Sequence, residues 1–168
     1  MVKICKPAPR KLLGLILFVL FIVAADRLVK DLVLANIDLH EKIDLIPGVF
    51  RLTYTQNTGG AFSAFSGASW LFHIIVPMAV LLLVAAMLFR VFTGTCGVLS
   101  CTAVIGGAIG NYIDRVAYGY VVDMFDFYLI DFAVFNLADC FITVGCILLM
   151  ICVLFSPEDK KEKKPCGN

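Results

Sequence analysis

From Cys140 to Phe155 the chain runs sixteen residues without a charge, and three further stretches are nearly as apolar, at about 12–34, 69–92 and 96–114. A hydrocarbon core about 30 Å thick is crossed by roughly 20 mostly apolar residues in a helix, which satisfies its own backbone hydrogen bonds. The pattern predicts an all-α polytopic membrane protein with four spans, at about 12–34, 69–92, 96–114 and 135–155. These make one domain over residues 1–155, followed by a charged cytoplasmic tail at 156–168. With 61% of its 168 residues hydrophobic and a strongly positive mean hydropathy, the chain lies outside what a water-soluble globule uses.

The first span is the least regular. LLGLILFVLFIVAA supplies fourteen residues before Asp26, or about 21 Å of helix. Leu28, Val29, Leu32 and Val33 complete the length, which places Asp26 and Lys30 in its last turns. Lys3, Lys6, Arg10 and Lys11 ahead of an apolar run also fit a cleavable signal peptide, and three spans would remain if it were removed. Basic residues mark the cytoplasmic ends of spans. Four of the fourteen Lys and Arg precede span one, Arg90 lies between spans two and three, and Lys160, Lys161, Lys163 and Lys164 follow span four. Both termini are therefore expected in the cytoplasm. Ten of the thirteen acidic residues then fall on or near the outer side, where the polar chemistry is expected.

Between spans one and two, Ile-Pro-Gly at 46–48 signals a turn, and VFRLTYTQN after it has the β-branched and aromatic content of a short strand outside the bilayer. NTGGAFSAFSG at 57–67 suits either an ordinary loop or a flexible flap over a site. Pro77 is expected to kink span two. The segment between spans three and four reads as an outer loop or interfacial helix. The seven cysteines follow neither a disulfide framework nor a metal-ligand spacing, and read as small core residues.

On span three, Gly106 and Gly110 form a small-xxx-small pattern that lets helices approach. Gly107, Asn111 and Asp114 share one face, so the polar pair is aimed together and inward, because polar groups facing lipid are costly. Asp126 and Asp131 read as exposed acids, whereas Asp123 stands among Val121, Val122, Met124 and Phe125. Asn136 and Asp139, three apart where span four begins, fit a helix cap favoured by the helix dipole. They also fit a catalytic reading. Two carboxylates close together in a pocket of low polarity share a proton, so one can activate water while the other polarises a carbonyl, which suffices to hydrolyse an amide without a metal or a cofactor. His40 and His73 lack a ligand spacing, and Ser63, Ser66 and Ser69 lack a partnered base.

AADRLVK at 24–30, NTGGAFS at 57–63, GGAIGNYIDR at 106–115, VVDMFD at 121–126 and FNLAD at 135–139 together resemble the bacterial lipoprotein signal peptidases, signal peptidase II, in order and over about residues 12–155. The resemblance implies an aspartic endopeptidase of the bacterial inner membrane. Its substrates would be diacylglyceryl-modified prolipoproteins, cut just before the lipidated cysteine near the outer face by a monomer that has membrane lipid as a partner, with no cofactor and no nucleic-acid partner. It implies Asp123 and Asp139 as the dyad and Asn111, Asp114, Arg115 and Asn136 as groups that orient the dyad or hold substrate. Asp26 and Lys30 correspond to the polar pair of span one, and Asn57 to the asparagine of the flap. The chain departs from the family in Gly60, where Ala or Ser is more usual, and in a short interval between Asp123 and Asp139 without the usual Trp and Pro. A small proton- or ion-coupled transporter is the alternative reading of intramembrane carboxylates, although such a protein would spread polar groups through the membrane depth. A structural subunit without activity would not call for a polar face on span three.

Overall fold

The computed structural model describes residues 9–59, 69–92 and 94–155. Residues 60–68 of the segment read as either a loop or a flap, including Gly60, Ser63 and Ser66, and residues 156–168 lie outside them. Four helices carry the chain: α1 (Pro9–Asn36), α2 (Phe72–Leu88), α3 (Thr95–Tyr118) and α4 (Leu137–Phe155). Three of these, α1, α3 and α4, are long and apolar enough to cross a membrane. The second expected span differs. Helix α2 has 17 residues rather than running over 69–92, because a 3-10 turn at Ser69–Leu71 precedes it and Arg90, at a φ of 55°, breaks it off beyond Leu88. The helix continues through Pro77. Conversely, α1 extends past the expected 34 to Asn36, and α3 past 114 to Tyr118, where Gly119 at a φ of 80° closes it.

The segment between α3 and α4 is a correction to the sequence reading. It is neither a loop nor a helix over its first part but a strand, β3 (Val121–Asp126), followed by a 3-10 turn at Tyr128–Ile130. VVDMFD is rich in β-branched and aromatic side chains, and what makes it a strand is its partner: β3 completes an antiparallel sheet in the order β1 (Lys42–Ile46), β2 (Phe50–Asn57), β3. Ile-Pro-Gly at 46–48 forms the β1–β2 turn, with Gly48 at a φ of 80° that a side chain would resist. Opposite Arg51 stands Asp126, and the two form an ion pair at 2.6 Å. Asp126 is therefore a buried, paired acid, not the exposed one its neighbours suggested. The end of α1 lies under the sheet, where Val33 and, just beyond the helix, Ile37 bury against Tyr54, Val122 and Met124.

Helix α3 is the centre of the bundle and packs on each of the other three helices. Its glycines explain how closely. A Cβ on Gly106 would stand 3.0 Å from Ile22 of α1, one on Gly110 would stand 2.8 Å from Asp26 Oδ2, and one on Gly107 would stand 2.5 Å from the Ala138 carbonyl oxygen of α4. The contact at Gly107 is against backbone, which cannot rotate away. Gly107→Ala should therefore separate α3 from α4 and cost about 1–3 kcal/mol, as overpacking does. Gly14→Ala, with nothing within 4 Å, should cost nothing measurable. Thermal unfolding of the two variants in detergent checks the contrast.

Candidate active site

Three buried charges organise the end of the bundle next to the sheet. Lys30, fully enclosed, donates its three N–H bonds to Asp26 Oδ2 at 2.7 Å, Asp114 Oδ2 at 2.8 Å and Asn111 Oδ1 at 3.0 Å. The i, i+4 spacing of Asp26 and Lys30 puts them on one face of α1, and that face is turned into the protein against α3. Asp26 Oδ1 accepts a hydrogen bond from the backbone N–H of Ala138 at 2.9 Å, one of the free donors in the first turn of α4. Asp114 also accepts from the Val122 backbone N–H at 3.2 Å and from Arg27 at 3.3 Å, which ties the end of α3 to β3 and α1. Among the described residues, no buried side-chain nitrogen or oxygen lacks a partner.

From Asn111 the network passes to the two candidate catalytic carboxylates. Asn111 Nδ2 donates to Asp139 Oδ1 at 2.7 Å, and its Oδ1 accepts from Asn136 Nδ2 at 3.0 Å. The same Asn136 Nδ2 donates to Asp123 Oδ1 at 2.6 Å, while Asn57 Nδ2 donates to Asp123 Oδ2 at 2.8 Å. Sheet register accounts for the second contact. Thr55 faces Asp123 across the β2–β3 pair, and Asn57, two residues on, projects from the same face of its strand.

The helix-cap reading of Asp139 is correct as geometry. Its Oδ2 accepts from the Asn136 backbone N–H at 3.1 Å, and its own N–H donates to Asn136 Oδ1 at 2.9 Å, the reciprocal pair of a capping box. That arrangement uses one carboxylate oxygen. The other is turned to Asn111, so capping fixes the orientation of the carboxylate without consuming it.

The two acids have unequal surroundings. Asp123 is 1% exposed, whereas Asp139 is half-buried. Burial, reinforced by the negative charge of Asp139, pushes the Asp123 carboxyl up to about 7, against the opposing hydrogen bonds from Asn57 and Asn136. An acid that holds its proton near neutrality beside a second carboxylate is equipped for general acid–base chemistry.

Of the nine residues singled out from sequence, eight lie in this continuous network: Asp26, Lys30, Asn57, Asn111, Asp114, Asp123, Asn136 and Asp139. Arg115 borders it. Its Nη1 donates to the Asn111 carbonyl oxygen at 3.2 Å and its guanidinium lies 4.2 Å from the centre of the Phe72 ring, with no hydrogen bond to Asp123 or Asp139 among the described residues. Arg27 is the residue that sequence reading passed over. It bonds Asp31, Asp114 and Tyr118, the last at 2.7 Å, and its position one residue after Asp26 gave no sign of that reach. No group of His, Cys, Asp or Glu among the described residues has the arrangement of a metal site.

Comparison with known proteins supplies the context for this geometry. The sequence profile described as signal peptidase (SPase) II matches residues 18–155. A lipoprotein signal peptidase of Lactococcus lactis subsp. lactis (strain IL1403) is 41% identical over 151 residues, covering 90% of this chain and 99% of the relative. One of Streptococcus thermophilus (strain CNRZ 1066) is 45% identical over 144 residues, covering 84% and 92%. Among solved structures, a bacterial membrane enzyme determined by the in meso method at 2.3 Å resolution superimposes with a TM-score of 0.81 at 31% identity, covering 90% of this chain and 94% of the other. On these matches the chain belongs to the signal peptidase (SPase) II family.

Proposed function

We propose that this protein is an aspartic endopeptidase that removes the signal peptide from diacylglyceryl-modified prolipoproteins, cutting before the lipidated cysteine. The observation that carries the reading is the convergence of Asp123 and Asp139 on the side chains of Asn136 and Asn111. In this mechanism Asp139 takes a proton from the attacking water while Asp123, the more buried acid, holds its proton toward the scissile carbonyl oxygen. The tetrahedral adduct collapses as the amine of the new N-terminal cysteine leaves with a proton returned from the pair. Asn57, at the root of the proposed flap, Asn111 and Asn136 hold the carboxylates in place. The buried ions Asp26, Lys30 and Asp114 fix the helices that carry them, and Arg115 stands at the side facing α2, where substrate would pass. The names of the relatives support the substrate class.

The same reading places the protein in the bacterial inner membrane as a monomer with four spans, both termini cytoplasmic and the dyad near the outer face. Residues 1–155 form the single peptidase domain and 156–168 the cytoplasmic tail. Helix α2, about 26 Å long at 1.5 Å per residue, is within what local thinning of a bilayer accommodates. The basic residues at the two termini and at Arg90 support the orientation. Family membership weighs against the ion-coupled transporter.

Cleavage of a diacylglyceryl-modified prolipoprotein peptide by the detergent-purified protein tests the function. Asp123→Asn and Asp139→Asn should each reduce cleavage by at least about 100-fold, the lower range for loss of a general acid or base, with unfolding temperatures near that of the wild type. Asp131→Asn, at an exposed position, should retain activity. Full activity in either dyad variant overturns the mechanism.

The raised Asp123 carboxyl sets the pH dependence. Because the protonated form is the working one, kcat/KM should fall as pH rises through about 7. A profile flat from pH 6 to 9, measured with the same peptide, contradicts the assignment of the proton to Asp123.

A further inference from the structure

A cavity lies at the end of the bundle remote from Asp123 and Asp139. Helices α1 and α2 both pack on α3 but stand apart from each other there, leaving a groove of about 840 Å3 with α3 as its floor. Leu15 and Val84 belong to its two walls and Leu99 and Thr102 to its floor. It shares no residue with the network around Asp123 and Asp139, and α4 contributes nothing to its lining. Two cations stand at its mouth, Lys11 in the first turns of α1 and Arg90 just beyond α2. Both are exposed, and neither has an ion-pair partner among the described residues. Arg90 is held at a φ of 55°, a conformation uncommon for a side chain of its size.

We propose that this groove is a binding site for an anionic phospholipid, with the lipid phosphate between Lys11 and Arg90 and an acyl chain lying along α3. The walls are aliphatic over the stretch from Lys11 to Leu20 of α1, about 14 Å of helix. That depth suits a hydrocarbon chain, and beyond Lys11 and Arg90 the lining offers free phosphate no further cation. The two cations favour an anionic headgroup over a zwitterionic one. They also disfavour the competing occupant, the helix of a signal peptide, whose positively charged leading segment would meet Lys11 and Arg90 with like charge. The site does not depend on the peptidase reading, since it rests on the groove and its charges alone.

Native mass spectrometry of the full chain, released from detergent containing equal amounts of phosphatidylglycerol and phosphatidylcholine, reads the preference directly. The wild type should retain phosphatidylglycerol with roughly tenfold preference, undiminished by added inorganic phosphate. The Lys11→Gln, Arg90→Gln double variant should lose the preference, while Arg10→Gln, which removes a neighbouring charge that does not line the groove, should keep it. Gly14→Phe places a ring in the open space beside Gly14 and should lower retention of both lipids. Equal retention of the two lipids by the wild type, preference that survives in the double variant, or full retention by Gly14→Phe overturns the proposal. So does a synthetic signal peptide that displaces the bound lipid. Peptide cleavage measured on the same samples keeps the two readings separate, because a failed lipid site leaves the activity intact.

Discussion

The buried polar network that joins α1, α3 and α4 depends on an ammonium group with no access to solvent. Removing a Lys and its partner carboxylates from water costs several kcal/mol per ion, and only well-formed contacts recover it. Lys30 meets that condition with three acceptors for three donors. The arrangement demands that α1 and α3 approach closely, which glycine at 106 and 110 permits. It also fixes Asn111, since the oxygen that faces Lys30 leaves the amide nitrogen turned toward Asp139. A charge on α1 is thus linked through one amide to a carboxylate on α4, whose orientation the cap also fixes.

The same cluster accounts for the poise of the proposed dyad. Asp26 and Asp114 are balanced by Lys30 and Arg27, so the buried cation is already neutralised and has little left for Asp123. Its attraction ranks last among the influences on that carboxyl, behind burial, the charge of Asp139 and the two asparagine hydrogen bonds. A structural ion cluster and the two carboxylates of the proposed dyad therefore sit side by side, joined through two amides that carry no charge. Amide linkers transmit position without discharging either group.

Much of the site was legible in the sequence because it obeys helical spacing. Asp26 with Lys30, Asn111 with Asp114, and Asn136 with Asp139 are each one turn apart, and a polar pair in an apolar helix has to face inward. The cap reading of Asp139 came from the same local rule and describes a real pair of hydrogen bonds. What was not legible depends on contacts between residues far apart in the chain. The strand nature of VVDMFD comes from pairing with β2, and Asp126 is buried only because that register sets it against Arg51. Arg27 reaches Tyr118 across 91 positions, and nothing in AADRLVK distinguishes that reach from a solvated side chain. The length of α2 escaped for another reason: hydropathy continues through Ser69–Leu71 and Phe89, whereas the helix is ended by backbone conformation at its margins.

The central claim is that Asp123 holds the shared proton at neutral pH, and direct titration tests it. With aspartate carbon-13 labelled at the side-chain carboxyl, NMR of the detergent-solubilised protein should contain a resonance that titrates near 7, is absent in Asp123→Asn, and moves to lower pH in Asp139→Asn as the neighbouring negative charge is removed. A resonance near 7 that persists in Asp123→Asn, or carboxyls that all titrate below about 5 in the wild type, would contradict the account.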